Sequence, residues 1–356
     1  MMMRVLLLTR YSSLGASSRV RFYQYLPYLE SHGYEVTVAP LLGNDYVRGL
    51  YQGNIPLLSV LRAYITRLGF MLRAHKFDVV WVEYEMLPWM PAWFETGLFP
   101  ANVPLVADYD DAIFHRYDLH PLPVVRRLLG SKIDSVMRRA DVVIAGNDYL
   151  GDRARDAGAK RIELIPTIVD TSRYAVAGTP TDRPITIGWI GSPATDHYLS
   201  LVLPALQNIT ASGRDIRVTA VGASTAHLAG FPAEIRAWTE DTEVAEIQQF
   251  DIGIMPLPDE SWERGKCGYK LIQYMACGKP VVASPVGVNA VLVHHGVNGF
   301  LARNEREWIQ ALELLCDDAG LRQRMGRSGR EQVEQAYSLD VTAPKLEKIL
   351  RSVVRI

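Results

Sequence analysis

The sequence predicts an α/β protein built from two doubly wound parallel-sheet domains. Short apolar runs recur along the chain, each followed by a turn and a stretch of helical periodicity, which is the strand–helix alternation of parallel sheets. The alternation comes in two series, separated by the Gly-, Pro- and Thr-rich segment AVAGTPTDRP over 175–184. A chain of 356 residues can give each series a core of its own. The domains are therefore placed at 1–178 and 183–339. Ligands are expected outside the carboxyl ends of the strands, in a cleft that the two domains face.

Composition narrows the class. Hydrophobic residues at 48% and a mean hydropathy of +0.01 describe a soluble globular chain. Lys plus Arg (38) nearly cancels Asp plus Glu (39), which excludes a global nucleic-acid-binding signature. Cys267, Cys277 and Cys316 have neither disulfide nor metal spacing, so a reducing compartment is expected. The amino-terminal MMMRVLLLTR is too short an apolar run for a signal peptide, and no run approaches the ~18 apolar residues of a membrane span. The expected location is the cytoplasm.

In the first series, strands are predicted at 5–9, 35–39, 79–82, 105–107, 141–145 and 162–165. The turn after the first strand holds Gly15, the cheap residue for a backbone passing close to a ligand. Ser17 or Ser18 is predicted to cap the following helix, whose core side takes Val20, Tyr23, Leu26 and Leu29. Arg19 and Arg21 fall in its expected first turn, where cations oppose the helix dipole. They either serve an anion or acidic partner or are simply solvated.

From Tyr46 to Phe77 there is no acidic residue, while Arg48, Arg62, Arg67, Arg73 and Lys76 accompany Leu58, Leu61, Ile65, Leu68 and Leu72 at helical spacing. Over 56–76 this reads either as a basic amphipathic helix on an anionic membrane surface or as a core helix with a solvated basic side. Glu83 and Glu85 precede a dense aromatic run, Trp89, Trp93 and Phe94. That run suits an acceptor pocket, a membrane-dipping loop, or core beneath a loop. Asp108, Asp110 and Asp111 cluster at the fourth strand. They suit a divalent metal, sugar hydroxyls or base chemistry, or helix capping. His115, four residues past Asp111, either shares that site or is structural.

In the second series, the strand at 185–190 ends in the turn Gly191-Ser192-Pro-Ala-Thr195, and further strands are predicted at 218–221, 252–255 and 281–283. A helix is expected over 243–249, a turn and short strand at 296–300, and helices from a cap at Asn304 to the end. The stretch 250–289 stands out. Pro256 and Pro258 stop its strand, and Leu271, Ile272 and Met275 share a helical face that Gly278 and Pro280 close. The loop between carries Glu263, Arg264, Lys266 and Lys270, spaced by Gly265 and Gly268. A glycine-spaced basic loop that opens a helix at the carboxyl end of a parallel strand suits a diphosphate, because free N–H groups, dipole and Lys charges act on the anion together. The alternative is an ordinary strand–helix turn with solvated charges.

These residues resemble the retaining glycosyltransferase family 4 (glycosyl transferases group 1) of the GT-B class. The resemblance is carried by Asp251-IGIMPL, Lys270–Ser284 (KLIQYMACGKPVVAS), Gly287 and Gly296-VNGFL, with weaker pieces at the Gly15 turn, Asn147, Pro166–Asp170 and Gly188-WIGS. It implies two Rossmann-like domains, with the terminal helix, 340–356, packing back on the first. It also implies a nucleotide diphosphate sugar as donor, a glycan or lipid-linked acceptor, and no metal or other cofactor. The family's Glu, seven residues, Glu motif is departed from. The alignment sets Gly265 at the first Glu, which contacts the donor sugar, and Gln273 at the second, which binds ribose. The Arg that usually follows the second domain's first strand is also absent.

The resemblance thus assigns catalysis to Lys266, Lys270, Glu263, Asp110 and Asp111, with Glu263 standing in for the missing carboxylate. Donor binding falls to Gly15, Gly191, Ser192, Arg264, Gly268, Tyr269 and Gln273, and the acceptor side to Arg19, Arg21 and His115. The expected reaction is sugar transfer with retention in cell-surface glycan or polysaccharide biosynthesis. The rivals are a nucleotide-sugar 2-epimerase of the same fold and a non-catalytic nucleotide-sugar-binding partner of a glycan assembly complex.

Overall fold

The structure, a computed structural model, describes residues 2–51, 57–178, 183–228 and 230–354. Residues 179–182 of the predicted linker and Pro56, at the start of the predicted basic helix, lie outside the described residues. The chain divides into two compact units. One comprises Met1–Thr167, Gly265–Cys267 and Thr342–Ile356, the other Ile168–Arg264 and Gly268–Val341.

The first unit holds six parallel strands: β1 (Met3–Leu8), β2 (Tyr34–Val38), β3 (Val79–Glu83), β4 (Leu105–Tyr109), β5 (Val142–Ala145) and β6 (Ile162–Leu164). Their order is β2-β1-β3-β4-β5-β6, so the winding reverses between β1 and β3. Continuous apolar runs such as VVWV and VVIA form strands covered on both faces, and every residue of β3, β4 and β5 is buried. Asp108 lies inside β4 rather than after it.

The first helix is Ala16–Arg21, with Gly15 as its N-cap residue and no side-chain cap. The predicted serine cap is therefore corrected. Ser18 is fully buried within the helix, where its hydroxyl donates to Glu83 Oε2 at 2.6 Å. The helix is also short, so Arg19 and Arg21 sit in its last turn, where cations suit the dipole. The terminal helix, Leu339–Val353, contributes its later residues to this unit. The Tyr25 and Thr342 hydroxyls are 3.0 Å apart, Tyr28 donates to Glu347 at 3.1 Å, and Arg351 donates to the Tyr34 hydroxyl at 3.0 Å.

The second unit holds β7 (Ile185–Ile190), β8 (Ile216–Val221), β9 (Ala233–Arg236), β10 (Ile252–Met255), β11 (Val281–Ala283) and β12 (Gly299–Leu301). All pairings are parallel, in the order β12-β11-β10-β7-β8-β9, with the reversal between β7 and β10. The sheet buries apolar side chains on both faces. Ile187, Trp189, Ile252 and Ile254 pack on one side, and Ile190, Met255 and Tyr274 on the other. β9 is not foreseen from the sequence. It is a half-exposed edge strand of sequence AEIR, with no apolar run to mark it. Asn304 does cap the helix Glu305–Asp317. Its side chain accepts from Glu307 N at 3.1 Å, and the Glu307 carboxylate accepts from Arg303 N, one residue before the cap, at 2.7 Å.

Candidate active site

In each sheet the reversal of winding leaves a crevice at the strand carboxyl ends, where ligands of this architecture bind. In the second unit that crevice lies at the ends of β7 and β10. Gly268 opens the helix Tyr269–Ala276 at φ 66°, a left-handed conformation that glycine adopts without strain. Lys270, in the helix's first turn, sends its ammonium over the Trp189 ring at 4.7 Å from the centroid. Gly191 makes room for it: a Cβ there would stand 3.0 Å from Lys270 Cε and 2.4 Å from the Trp189 ring. Ser192 closes the same turn, accepting from Thr195 N at 2.9 Å. The Lys270 charge and the helix amino terminus thus meet at one strand end.

The motif departures acquire physical reasons. Gly265, which packs with the first unit, leaves no room for a carboxylate, since a Cβ would meet Ala112 Cβ at 2.4 Å and its backbone N at 3.0 Å. Glu263 is buried and accepts a hydrogen bond from the Tyr198 hydroxyl. Gln273 is buried too, and its amide nitrogen donates to the Tyr174 hydroxyl at 2.9 Å. The sequence reading, which left Gln273 open to ribose, did not anticipate that bond. Tyr174 in turn donates to Glu243 and lies 3.2 Å from the Tyr269 hydroxyl, while Trp238 donates to Glu243 at 3.0 Å. Arg264, expected at the phosphates, is exposed and ion-paired to Asp259 at 2.7 Å.

At the strand ends of the first unit, Glu83 is the hub. Its Oε2 accepts from Arg10 N and from Ser18 Oγ, both at 2.6 Å, which ties β3 to the turn after β1. Gly15 sits tight in that turn, where a Cβ would meet Tyr11 Cβ at 2.3 Å. Burial pushes the Glu83 carboxyl up to about 7, against those two hydrogen bonds. Arg21 does not face an acceptor. It is 2% exposed and donates to Asp108 at 2.8 Å, while Trp81 donates to the other Asp108 oxygen at 3.1 Å. Burial raises the Asp108 carboxyl to about 6 despite Arg21.

Asp110 accepts from the Tyr84 hydroxyl, and burial pushes its pKa up against the pull of Arg21 and Lys266. Tyr84 is held at φ 60°, rare for an aromatic residue, by Tyr109 donating to its carbonyl at 2.8 Å and by its own N–H on Asp108 O at 3.0 Å. The capping reading of the Asp cluster is corrected, because the next helix, His115–Asp118, has Phe114 at its N-cap and no side-chain cap. Both His115 ring nitrogens are engaged, by Asp118 and by the Tyr149 hydroxyl, each at 2.8 Å. Arg19 and Asp111 are half-buried.

Asn147 organises the Gly265–Cys267 segment. Its amide nitrogen donates to the carbonyls of Gly265 (2.9 Å) and Lys266 (3.1 Å), while its oxygen caps the helix Asp148–Asp156 by accepting from Leu150 N at 3.0 Å. Lys266 is thereby placed with the first unit and Lys270 with the second. Tyr198 and Tyr174, with Glu243 bonded to Tyr174 in turn, are hydrogen-bonded neighbours of the predicted site residues that sequence reasoning missed. Each lies tens of residues from its partner and belongs to no spaced motif. Among the described residues no group of three or more His, Cys, Asp or Glu is arranged to hold a metal ion.

Two family models match the chain: Glycosyltransferase Family 4 over residues 19–173 and Glycosyl transferases group 1 over 184–318. The chain belongs to this glycosyltransferase family. Solved structures agree on the GT-B fold. Anabaena Alr3699/HepE, solved in complex with UDP-glucose, aligns with a TM-score of 0.73 at 18% identity, covering 98% of this chain and 100% of that one. Sucrose-phosphate synthase from Thermosynechococcus elongatus aligns with a TM-score of 0.74 at 15% identity, covering 98% of each.

Among curated relatives, a D-inositol 3-phosphate glycosyltransferase of Pseudarthrobacter chlorophenolicus is 32% identical over 124 residues, 34% of this chain and 26% of its own length. One from Actinosynnema mirum is 25% identical over 237 residues, 56% of this chain and 54% of its own length. The matched stretches therefore span about half or less of these relatives.

Proposed function

We propose that the protein is a retaining glycosyltransferase that moves a sugar from a nucleotide diphosphate sugar to an acceptor hydroxyl, in the biosynthesis of cell-surface glycans or polysaccharides. The observation that carries this reading is Lys270. Its ammonium sits at the carboxyl end of β7 and at the amino end of the glycine-opened helix Tyr269–Ala276, where a diphosphate gains from charge, dipole and free N–H groups together. In the transfer, the bond from C1 to the diphosphate oxygen breaks and its electron pair leaves with the phosphate. The acceptor oxygen bonds C1 on the same face, and its proton passes to the leaving phosphate oxygen.

No strong protein base is needed on this route, and no metal or other cofactor takes part. Lys270 offsets the charge growing on the diphosphate, with the Gly191 and Ser192 backbone beside it, and Lys266 is a second catalytic cation. Glu263, oriented by Tyr198, contacts the donor sugar in place of the absent motif carboxylate. Asp110 and Asp111 position the sugar or acceptor. The HepE structures with UDP and UDP-glucose make uridine nucleotide sugars the first donors to test. The acceptor is a glycan or lipid-linked glycan met in the cytoplasm, at the inner face of the membrane.

The test is Lys270→Ala, with nucleoside diphosphate release as readout. Loss of one such charge is expected to lower turnover by about 10²–10³-fold while the melting temperature stays unchanged. Wild-type turnover in that variant, or nucleotide-sugar binding by the native chain with no release toward any acceptor, overturns the reading.

A further inference from the structure

The helix Leu57–Leu72 is rotated the opposite way from an ordinary surface helix. Such a helix turns its apolar stripe to the core and its charges to water. Here Leu58, Leu61, Ile65 and Leu72 lie on one helical face and are 83%, 60%, 61% and 57% exposed. The face opposite carries Arg67, which is 2% exposed. Its guanidinium donates to the carbonyl of Thr9, to that of Ala39 at 3.1 Å and to that of Met86 at 3.4 Å. These three bonds fix the rotation of the helix, so the leucine stripe is held outward by a buried cation.

The margins of the stripe are basic. Arg62 and Arg73 lie along its edge, Lys76 follows just beyond the helix, and all three are exposed. No Asp or Glu occurs anywhere from Tyr46 to Phe77. Beside the stripe runs an apolar groove of about 400 Å³, whose walls include Tyr64 and Leu68 from the helix and Met90 and Phe94 from the segment after β3. Tyr64 locks that segment in place by donating to Pro88 O at 2.8 Å. At its rim stands Trp93, 72% exposed, packed edge-on against Phe94 with ring centroids 5.9 Å apart.

We propose that this face docks on a phospholipid leaflet with anionic headgroups, the leucine stripe and Trp93 entering the acyl boundary and Arg62, Arg73 and Lys76 meeting the headgroups. Charge complementarity and side-chain type select this occupant. An outward apolar stripe, a carboxylate-free basic margin and an indole at the rim together form the pattern of an interfacial helix. The inference deepens the proposed function by placing a lipid-linked acceptor within reach of the first unit, and it rests on that reading only there.

The experiment is vesicle flotation of the full chain. Vesicles of phosphatidylcholine alone are compared with an equimolar mixture of phosphatidylcholine and phosphatidylglycerol. The chain is expected to float with the anionic vesicles and to detach as salt is raised. Leu61→Glu with Ile65→Glu should abolish flotation. Arg62→Gln with Arg73→Gln should weaken it by about fivefold per cation. Leu314→Glu, an exposed leucine of the second unit, should leave it unchanged.

Because the substituted leucines are exposed, folding is expected to survive. A second measurement needs no substitution in the helix: tryptophan emission of the native chain should be quenched by brominated phosphatidylcholine in the anionic vesicles, and less so in Trp93→Phe. Absence of flotation with either vesicle, or undiminished flotation of the double-glutamate variant, overturns the proposal. So does a dimer in solution that the double-glutamate variant dissociates, since the face is then a contact between two copies. Flotation reads no transfer, so a chain that floats yet releases no nucleoside diphosphate fails only the functional reading, and one that transfers to a soluble acceptor without floating fails only this one.

Discussion

Glu83 shows how a single residue couples the two strands at the reversal of the first sheet. One of its oxygens takes both available hydrogen bonds, from Arg10 N and Ser18 Oγ, and the carboxyl is 1% exposed. Its pKa rises to about 7, whereas an unfolded glutamate titrates at about 4.3. A raised carboxyl pKa means the folded state holds the proton more tightly than the unfolded state. This stability is fully present below the unfolded value and is lost as pH rises through about 7. Glu83→Gln keeps the shape and removes the titration. The melting temperature of the variant relative to native is therefore expected to rise between pH 5 and pH 8, by an amount corresponding to roughly 1–3 kcal/mol. A difference that stays flat over that range sinks the assignment. The basic loop and Lys270 are legible as sequence, because glycine spacing and helix periodicity are local. The bonds to Glu83, Glu263 and Gln273 are not, because Ser18, Tyr198 and Tyr174 are brought to them only by the wound sheet.

At the scale of elements, Asn147 links a helix cap to the placement of the motif loop. Its oxygen holds the start of Asp148–Asp156, and its nitrogen holds the carbonyls of Gly265 and Lys266. Asn147→Asp keeps the capping oxygen but sets a carboxylate against those carbonyls. Turnover is expected to fall at least tenfold, with a stability loss of roughly 1–3 kcal/mol for two carbonyls left without their donor. Wild-type activity in that variant removes the loop's role. Lys132, buried on the helix Lys132–Arg139, sits 2.6 Å from Glu85 and 3.4 Å from Glu95 and also donates to the Leu87 carbonyl. Lys132→Met leaves two buried carboxyls without their cation and is expected to cost ~3–5 kcal/mol in urea unfolding. A loss below about 1 kcal/mol contradicts this. Strands with continuous apolar runs are legible in the sequence almost to the residue. β9 is not, because an exposed edge strand has no buried run to display. The helix Leu57–Leu72 is legible as a helix but not in its rotation, because three carbonyl acceptors from distant segments decide which way Arg67 points.

At the scale of the molecule, each unit has its own sheet, and the second has a core on both sheet faces. A nucleotide sugar that binds the second unit's strand ends adds stability only through the folded state of that unit. At one hundred times its dissociation constant the gain is ~2.7 kcal/mol. For a unit of this size it corresponds to an upward shift of about 5–10 °C in melting temperature. Under the proposed function the shift should be lost or strongly reduced in Lys270→Ala, which removes the ammonium beside Trp189, and in Gly191→Ala, whose Cβ would crowd Trp189 and Lys270 Cε. Hydrogen exchange locates the effect. Added protection should appear in β7, β10 and the helix Tyr269–Ala276, because the proposed function has backbone N–H groups at the helix amino terminus binding the anion. Uridine nucleotide sugars that raise the melting temperature while protecting only strands β1 to β6 would place the donor on the first unit and overturn the role given to Lys270.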